Sequence, residues 1–420
     1  MKIDIPLGEK LRLIRTAKGI SQRNMAQAIH ISKSLLSYIE SGQRECDTAT
    51  LASIRNFLEI NDAPLLDHEL EVYNSRLWIW DDVLTANRLA DAKAMHESLA
   101  TIQSLPYQHD MLFTYAVLTA RLLLRENNAP KAIEKLEEAE KLIDYANTQS
   151  HQIFYQCKGL VCAIHEQHNE SLVYLHKALA LTEKDDARLL ALMGNMYYRL
   201  GRCHHAIIYL ERAKLSYSGD KSNILGYTQA ATLAECYALV GDYSLAKEIY
   251  SNVIPILHSM NMNEYLAPAL CNRGLLSHRE GDFDEALGFY EEARTLCKDN
   301  PYAYIIVIHN MALSLIKLKK HAECQALIDQ ARPMAKDNEY LTLLLDMCQH
   351  LMNLGNPASV AYIEDTGIPY LRKVGGLNSY NALYFCRELE AHYNKKKSKI
   401  NALTMASIIR DIQDELFFNV

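Results

Sequence analysis

A lysine and several short polar side chains lie close together near the start of this 420-residue chain. They are Ser32, Lys33, Ser34, Ser37 and Tyr38. Short polar side chains can approach base edges in the major groove of DNA, and a lysine can neutralise a phosphate. Gln22 and Arg23 lie at the start of another predicted helix, where the positive end of the helix dipole favours phosphate. The chemistry predicted here is contact with a nucleic acid.

Four short helices are predicted to position these side chains, because apolar residues recur at helical spacing. The helices are expected over residues 7–17, 22–29 and 33–40, with a fourth from residue 48 or 50 onward. Gly19 suits the end of the first helix, and Ser21 and Ser32 suit the N-caps of the second and third. Two short helices joined by a tight turn and flanked by packing helices form a helix-turn-helix unit.

This head, defined as residues 1–61, resembles the phage-repressor (Xre/Cro) helix-turn-helix over residues 7–60. The resemblance is carried by Leu11–Arg12–Leu13–Ile14–Arg15, Lys18–Gly19–Ile20–Ser21–Gln22, Ala26, Ser32, Ile39–Glu40–Ser41–Gly42 and Leu51. It implies that the DNA-facing residues are Gln22, Ser32, Lys33, Ser34, Ser37 and Tyr38, with Gln43 and Arg44 on phosphates. Met25 and Cys46 depart from the usual leucine and proline. A helical cap that contacts only protein is the alternative interpretation.

Three segments between residues 194 and 293 repeat one pattern. Each has a glycine followed five residues later by alanine, nine later by a large residue and twelve later by a small one. These glycines are Gly201, Gly241 and Gly281, and a small residue lies seven positions before each. Small residues let antiparallel helices approach, the large residue fills the gap and glycine makes the turn. The pattern resembles the tetratricopeptide repeat.

Weaker copies extend this array, with repeats predicted to start near residues 73, 113, 152, 187, 227, 267 and 305. The predicted fold class is all-α. A helix-turn-helix domain over residues 1–61 is followed by a connecting helix over 62–81 that merges into a degenerate first repeat. A right-handed tetratricopeptide-like α-solenoid over 73–420 is expected to be the sensor and oligomerisation domain. It is expected to end in capping helices. The short junction at residues 61–64 predicts no flexible linker.

Asparagines recur on the first helix of the repeat, which lines the concave face of such arrays. Asn272 and Asn310 hold equivalent positions, and Asn195 lies on the same face. An amide donates and accepts hydrogen bonds, so it can pair with an extended peptide backbone. Further peptide-binding candidates on this face are Arg121, Glu235, Arg279 and His309. The alternative is that these side chains are solvated or form hydrogen bonds between helices.

Head and repeats together resemble the peptide-sensing Rap/Rgg/NprR/PlcR/PrgX group of quorum-sensing regulators, and the NprR-like members in particular. Outside the head this resemblance rests on the repeat pattern and layout. It implies a homodimer that binds double-stranded DNA and a short signalling peptide, with groove asparagines on the peptide backbone. The alternatives are a scaffold that binds a partner protein such as a response regulator, and a phosphatase-like activity towards that partner.

Composition bounds the function further. Residues 1–60 carry nine basic and six acidic residues, a net charge of +3. Residues 61–420 carry a net charge of −10, so the whole chain has −7. A basic head fits nucleic acid. No apolar run approaches the roughly 20 residues of a membrane span, and the first residues lack a signal-peptide core, so we expect a cytoplasmic protein without membrane contact. The ten cysteines are scattered singly, so we expect reduced thiols.

Three other motifs carry less weight. His165 and His168, like the run from Cys203 to His205, fall at turns of the repeats, so no metal site is predicted. The sequence has no nucleophile motif, glycine-rich phosphate loop or paired carboxylates, so no catalytic residue and no cofactor is predicted, and the chain is not expected to be an enzyme. The lysines at 395–397 are predicted to form a solvated loop.

Overall fold

The computed structural model describes residues 5–86, 88–182, 185–217 and 224–417. All regular secondary structure within these ranges is helical, which confirms the predicted all-α class. The chain divides into two compact units, residues 1–183 and 184–420. The head therefore belongs to the same unit as the first repeats.

Four short helices build the head, with bounds within a residue or two of those predicted. They are α1 (Leu7–Ala17), α2 (Gln22–Ala28), α3 (Lys33–Glu40) and α4 (Thr48–Leu58). The side chains of Ser21, Ser32 and Asp47 accept hydrogen bonds from backbone N–H groups three residues on, and so cap α2, α3 and α4. Gly8 lets α1 approach α3 closely, because a Cβ there would lie 1.9 Å from the carbonyl oxygen of Ile39.

Six further helices complete the first unit as three antiparallel pairs. They are α5 (Asp67–Thr85), α6 (Leu89–Ser98), α7 (His109–Arg125), α8 (Ala129–Glu140), α9 (Thr148–Ile164) and α10 (His168–Ala180). α5 covers residues 67–81 of the connecting helix predicted over 62–81, and it also pairs with α6 as the first repeat. The connection to the head is therefore itself a repeat helix.

The second unit continues the repeats. Its helices are α11 (Ala187–Arg199), α12 (Cys203–Tyr217), α13 (Ile224–Val240), α14 (Tyr243–Ser259), α15 (Asn263–Glu280), α16 (Phe283–Leu296), α17 (Pro301–Lys317), α18 (His321–Ala335), α19 (Glu339–Met352), α20 (Pro357–Tyr362), α21 (Ile368–Val374), α22 (Asn378–Lys395) and α23 (Lys399–Phe417). A single π-helical turn over Ile363–Gly367 joins α20 to α21. From α11 to α18 the helices pair in sequence, as tetratricopeptide repeats do.

The predicted small-to-large packing holds these pairs together. A Cβ on Gly194 would lie 2.6 Å from Leu210, and one on Gly274 would lie 2.7 Å from Tyr290. Tyr290 is fully buried, as is Tyr250 in the repeat before it. Leu210 and Tyr290 therefore occupy the space left by the absent Cβ of the facing helix, as the repeat pattern indicates.

Two glycines of the second unit allow the segment before α22 to pack against the turn between α11 and α12. Gly201 and Gly376 both have positive φ, at 74° and 58°. A Cβ on Gly376 would lie 2.4 Å from the carbonyl oxygen of Arg199, so only glycine permits this backbone approach. Tyr380 adds a hydrogen bond from its hydroxyl to the Gly201 carbonyl at 3.3 Å. The segment before α22 is thus fixed against the turn between α11 and α12.

Candidate nucleic-acid interface and ligand face

The outward side of α3 presents most of the side chains predicted to contact DNA. Lys33, Ser34 and Tyr38 are exposed, and Tyr38 keeps 51% of its surface in water. Leu36 and Ile39 point the other way into the head core. Helical periodicity therefore separates a polar face from a packed one, as predicted.

The predicted DNA-facing set divides in two by its internal contacts. Within the described part of the chain, seven members form no side-chain hydrogen bond or ion pair: Arg23, Lys33, Ser34, Ser37, Tyr38, Gln43 and Arg44. Ser32 caps α3 through its hydroxyl. Gln22 donates from Nε2 to Glu40 at 2.7 Å. Ser32 and Gln22 therefore stabilise the fold of the head, and the other seven side chains are available to a ligand.

A buried ion pair fixes α1 and α2 against α3. Arg15 donates from Nε to Glu40 Oε1 at 2.6 Å and from a terminal nitrogen to Oε2 at 2.8 Å. It also donates to the carbonyl of Ile20 at 2.7 Å. Both side chains are over nine-tenths buried. Since Glu40 ends α3, this pair sets the orientation of the polar face.

The junction with the repeats is packed rather than flexible. The core of the head includes Leu105 and Tyr107, which precede α7. The Tyr107 hydroxyl donates to the carbonyl of Pro64 at 2.7 Å. The buried ammonium of Lys10 donates to the carbonyl of Leu65 at 3.2 Å. The segment that precedes α7 therefore packs into the core of the head, and Pro64 and Leu65 of the short junction are held by buried side chains.

On the second unit, the predicted ligand residues lie on the first helices of the repeats. We call the exposed side of α11, α13, α15 and α17 the inner face. Glu235 is half-buried there and accepts hydrogen bonds at Oε2 from the Tyr198 hydroxyl and from Asn272 Nδ2, the latter at 2.6 Å. These residues come from three successive repeats, so the hydrogen bonds form a ladder across the inner face.

Burial controls the electrostatics of this ladder. Desolvation raises the pKa of the Glu235 carboxyl, against the opposing effects of the Tyr198 hydroxyl, Arg279 and Asn272. The pKa of Tyr198 is well above its usual value, because burial and the neighbouring Glu235 both disfavour a phenolate. Tyr198 therefore stays a hydrogen-bond donor.

Asn310 and His309 lie deeper than Asn272. Asn310 is 8% exposed and donates from Nδ2 to Cys271 Sγ at 3.2 Å. His309 is 2% exposed, and its Nδ1 lies 3.2 Å from the carbonyl oxygen of Leu344. Since a carbonyl only accepts, Nδ1 carries the proton, and burial lowers the pKa of His309 to about 4. Its Nε2 is buried without a partner among the described residues.

The remaining predicted ligand residues differ from one another. Asn195 is half-buried, and its side chain forms no hydrogen bond with the described residues. Arg279 donates to the carbonyl of Ala238 at 3.1 Å. Arg121 belongs to the first unit, where it pairs with Asp81. Asn195 fits the repeat register less closely than Asn272 and Asn310. Its side-chain amide is nevertheless the one without an internal partner among the described residues.

α22 covers part of the inner face. Lys317 on α17 donates to Glu388 at 2.6 Å, and the ring of Tyr384 lies 5.8 Å from that of His278 on α15. The ring of Phe385 lies 6.2 Å from that of His309. His278 and His309 are buried for this reason. The rest of the inner face, where Asn195, Glu235 and Asn272 are half-buried, is called its open part.

Sequence reasoning missed the Arg15–Glu40 pair, the packing of Lys10 and the ladder. Lys10 lies beside Leu11 on the apolar stripe of α1, and a lysine there signals a buried partner. The ladder has a signal too, since Tyr198, Glu235 and Asn272 are each 37 residues apart. The covering of the inner face by α22 had no local signal, because the contacts join residues 71 or more positions apart.

Other kinds of site find little support. No group of three or more histidine, cysteine, aspartate or glutamate side chains is arranged to hold a metal in the described ranges. Nine cysteines are buried and Cys46 is partly exposed. None of the helices described is long and apolar enough to span a membrane.

Comparison with known proteins identifies a family for the head and solved structures with a similar fold. Residues 6–68 match the family described as a helix-turn-helix domain. The apo form of the quorum sensor NprR from B. thuringiensis superposes with a TM-score of 0.68 at 20% identity, over 83% of this chain and all of that one. The chain shares the fold of NprR.

Two further solved structures extend the likeness. A Rap protein complexed with Competence and Sporulation Factor matches with a TM-score of 0.66 at 14% identity, over 82% of this chain and 98% of that one. NprR in complex with its cognate peptide NprX matches with a TM-score of 0.62 at 20% identity, over 81% and 99%. No curated protein is similar enough in sequence to match. The resemblance to NprR and Rap predicted from the sequence is confirmed at the level of the fold.

Proposed function

We propose that the chain is a transcription regulator that binds double-stranded DNA through α2 and α3 and senses a short peptide on the inner face. The observation that carries the DNA half is the exposed side of α3 with its adjoining side chains. Seven predicted DNA-facing residues there have no internal partner among the described residues. Exposed polar side chains without internal partners contribute little to the stability of a globular protein.

Within this proposal, side chains on α3 contact base edges in the major groove, and Arg23 and Arg44 contact phosphates. One recognition helix reads only a few base pairs, so useful specificity needs two heads. The regulator accordingly binds a two-fold symmetric site as a homodimer, and acts in the cytoplasm.

The peptide half rests on the open part of the inner face. Asn195 offers an amide without an internal partner, and the second oxygen of Glu235 is not used by the ladder. Together with Asn272 and Arg279 they offer donors and acceptors that suit a peptide backbone and a charged group. Asn310 and His309 are buried, so their place in the site remains a sequence prediction. Arg121, on the first unit, remains a sequence prediction.

Regulation then follows from differential binding. A peptide that binds one conformation of the regulator more tightly than another shifts its affinity for DNA by the ratio of the two peptide affinities. Because Leu105 and Tyr107 pack into the core of the head, a change at the start of α7 reaches the head through packed side chains.

The DNA half is tested by selecting bound duplexes from a random pool with the full-length protein. We expect an enriched sequence with two-fold symmetry. Lys33→Ala with Ser37→Ala should bind that sequence no better than unselected duplex. Enrichment by the double variant equal to that by the wild type would exclude α3 as the reading helix.

The peptide half is tested by thermal denaturation with a library of short peptides, since a bound ligand raises the melting temperature. We expect a subset to stabilise the wild-type protein and to change its affinity for the selected DNA. Asn195→Ala should remove that stabilisation. If no peptide stabilises the protein while the DNA selection succeeds, the inner face instead serves a protein partner.

A further inference from the structure

Among the described residues, the two most exposed large hydrophobic side chains lie together on α23. Ile400 keeps 79% of its surface in water and Leu403 keeps 71%, whereas the next most exposed, Ile208, keeps 56%. Being three residues apart on a helix, they form one patch. An apolar patch of this kind marks a contact surface.

Four lysines lie just before this patch in the chain. Lys395, Lys396, Lys397 and Lys399 are exposed, and none forms an ion pair within the described ranges. Four positive charges in five residues contrast with a chain of net charge −7. The occupant of the surface must therefore present negative charge beside an apolar area.

The other half of the same helix face is acidic. Asp411 and Asp414 are exposed and unpaired among the described residues, and Ser407 lies between them and Leu403. Positions 400, 403, 407, 411 and 414 recur at helical spacing and form one stripe. Ala402, Met405, Ile412 and Leu416 are buried on the opposite side. The stripe thus runs from basic and apolar at one end to acidic at the other.

We propose that this stripe is the contact through which two copies of the chain pair, with their α23 helices antiparallel about a two-fold axis near Leu403. A two-fold contact must be complementary to itself, and this stripe is so only when antiparallel. Ile400 and Leu403 of both copies meet at the axis. Asp411 lies about 12 Å along the helix from Leu403, at 1.5 Å per residue, and the lysines lie on the other side. Each copy's lysines therefore reach the other copy's aspartates.

This inference locates the dimer that the proposed function requires, and it can be tested without DNA. The full-length protein is examined by sedimentation velocity over a dilution series. Leu403→Asp should raise the dimer Kd at least tenfold, and the matched control Ile208→Asp on α12 should leave it unchanged. Both positions are exposed, so circular dichroism should show equal melting temperatures.

Reversing the charges at the two ends of the stripe tests most directly whether lysines of one copy contact aspartates of the other. Lys395→Glu with Lys397→Glu should weaken the dimer, as should Asp411→Lys with Asp414→Lys, and the four changes in one chain should restore it to within about threefold of wild type. Absence of rescue, a monomeric wild type or a dimer indifferent to Leu403→Asp would overturn the proposal. Loss of binding to phosphatidylserine vesicles or to random duplex DNA in the lysine variant, with the dimer intact, would assign the surface to that ligand instead. Selection of DNA by a protein that does not dimerise through α23 would leave the DNA half of the proposed function standing.

Discussion

In the head, most side chains predicted to meet DNA have no internal partner in the described part of the chain, whereas on the inner face most predicted ligand side chains form hydrogen bonds with other groups of the protein. Lys33 and Arg44 have no internal partner among the described residues, while Asn272 and Asn310 donate to Glu235 and Cys271. The contrast teaches that a polar side chain on a functional face can bind a ligand, support the fold, or do both. Substitutions separate the cases, because a supporting residue changes stability when it is lost.

The largest effect is expected at the support of the DNA face. Arg15→Ala leaves the Glu40 carboxylate buried with Gln22 as its remaining donor. Removing one partner of a buried pair costs about 3–5 kcal/mol. Chemical denaturation followed by hydrogen exchange of head amides measures this loss. The matched control is Arg12→Ala, whose exposed pair with Glu9 is worth less than about 1 kcal/mol. Equal effects of the two variants would contradict the role assigned to Arg15.

Acid should act on the second unit through His309. Its pKa is held near 4 by burial, against about 6.5 in an unfolded chain. Between these values the unfolded state binds more protons, so stability rises with pH and is lost as pH falls from 6.5 to 4. The contribution is on the order of 3 kcal/mol. Unfolding of the wild type and of His309→Asn across this window measures it, and parallel pH profiles would refute the assignment.

The two asparagines of the open inner face should differ in stability but agree in ligand binding. Asn272→Ala removes a donor from Glu235 and costs about 1–3 kcal/mol. Asn195→Ala removes no internal bond among the described residues and should cost less than about 0.5 kcal/mol. Both should weaken the binding of a stabilising peptide. If Asn272→Ala melts like the wild type, the ladder does not support the fold.

The smallest effect is expected at the edge of the head. Arg44→Ala should weaken DNA binding by a similar factor for every sequence, because a phosphate contact carries no base information. The slope of log K against log salt concentration should fall by about 1. Fluorescence anisotropy over a salt series measures the slope. Lys135→Ala, on α8 in the repeats, is the control and should leave it unchanged.

The comparison also shows where prediction from sequence succeeds. Helical spacing, serine caps and the glycine-to-large-residue pattern are local, so they predicted α1 to α4 and the close packing at Gly194 and Gly274. The contacts that sequence reasoning missed are long-range. Lys10 packs with Tyr107, and Tyr380 reaches Gly201, between segments that no local pattern connects. Which asparagine stays available was decided by such contacts.

The central claim is that α3 reads DNA with side chains that the fold itself does not need. Affinity for the selected duplex and melting temperature should be measured together for the wild type and for Lys33→Ala with Ser37→Ala. We predict a loss of affinity of at least tenfold with a melting temperature within about 1 °C of the wild type. Unchanged affinity, or a loss that follows a lowered melting temperature, would contradict the claim.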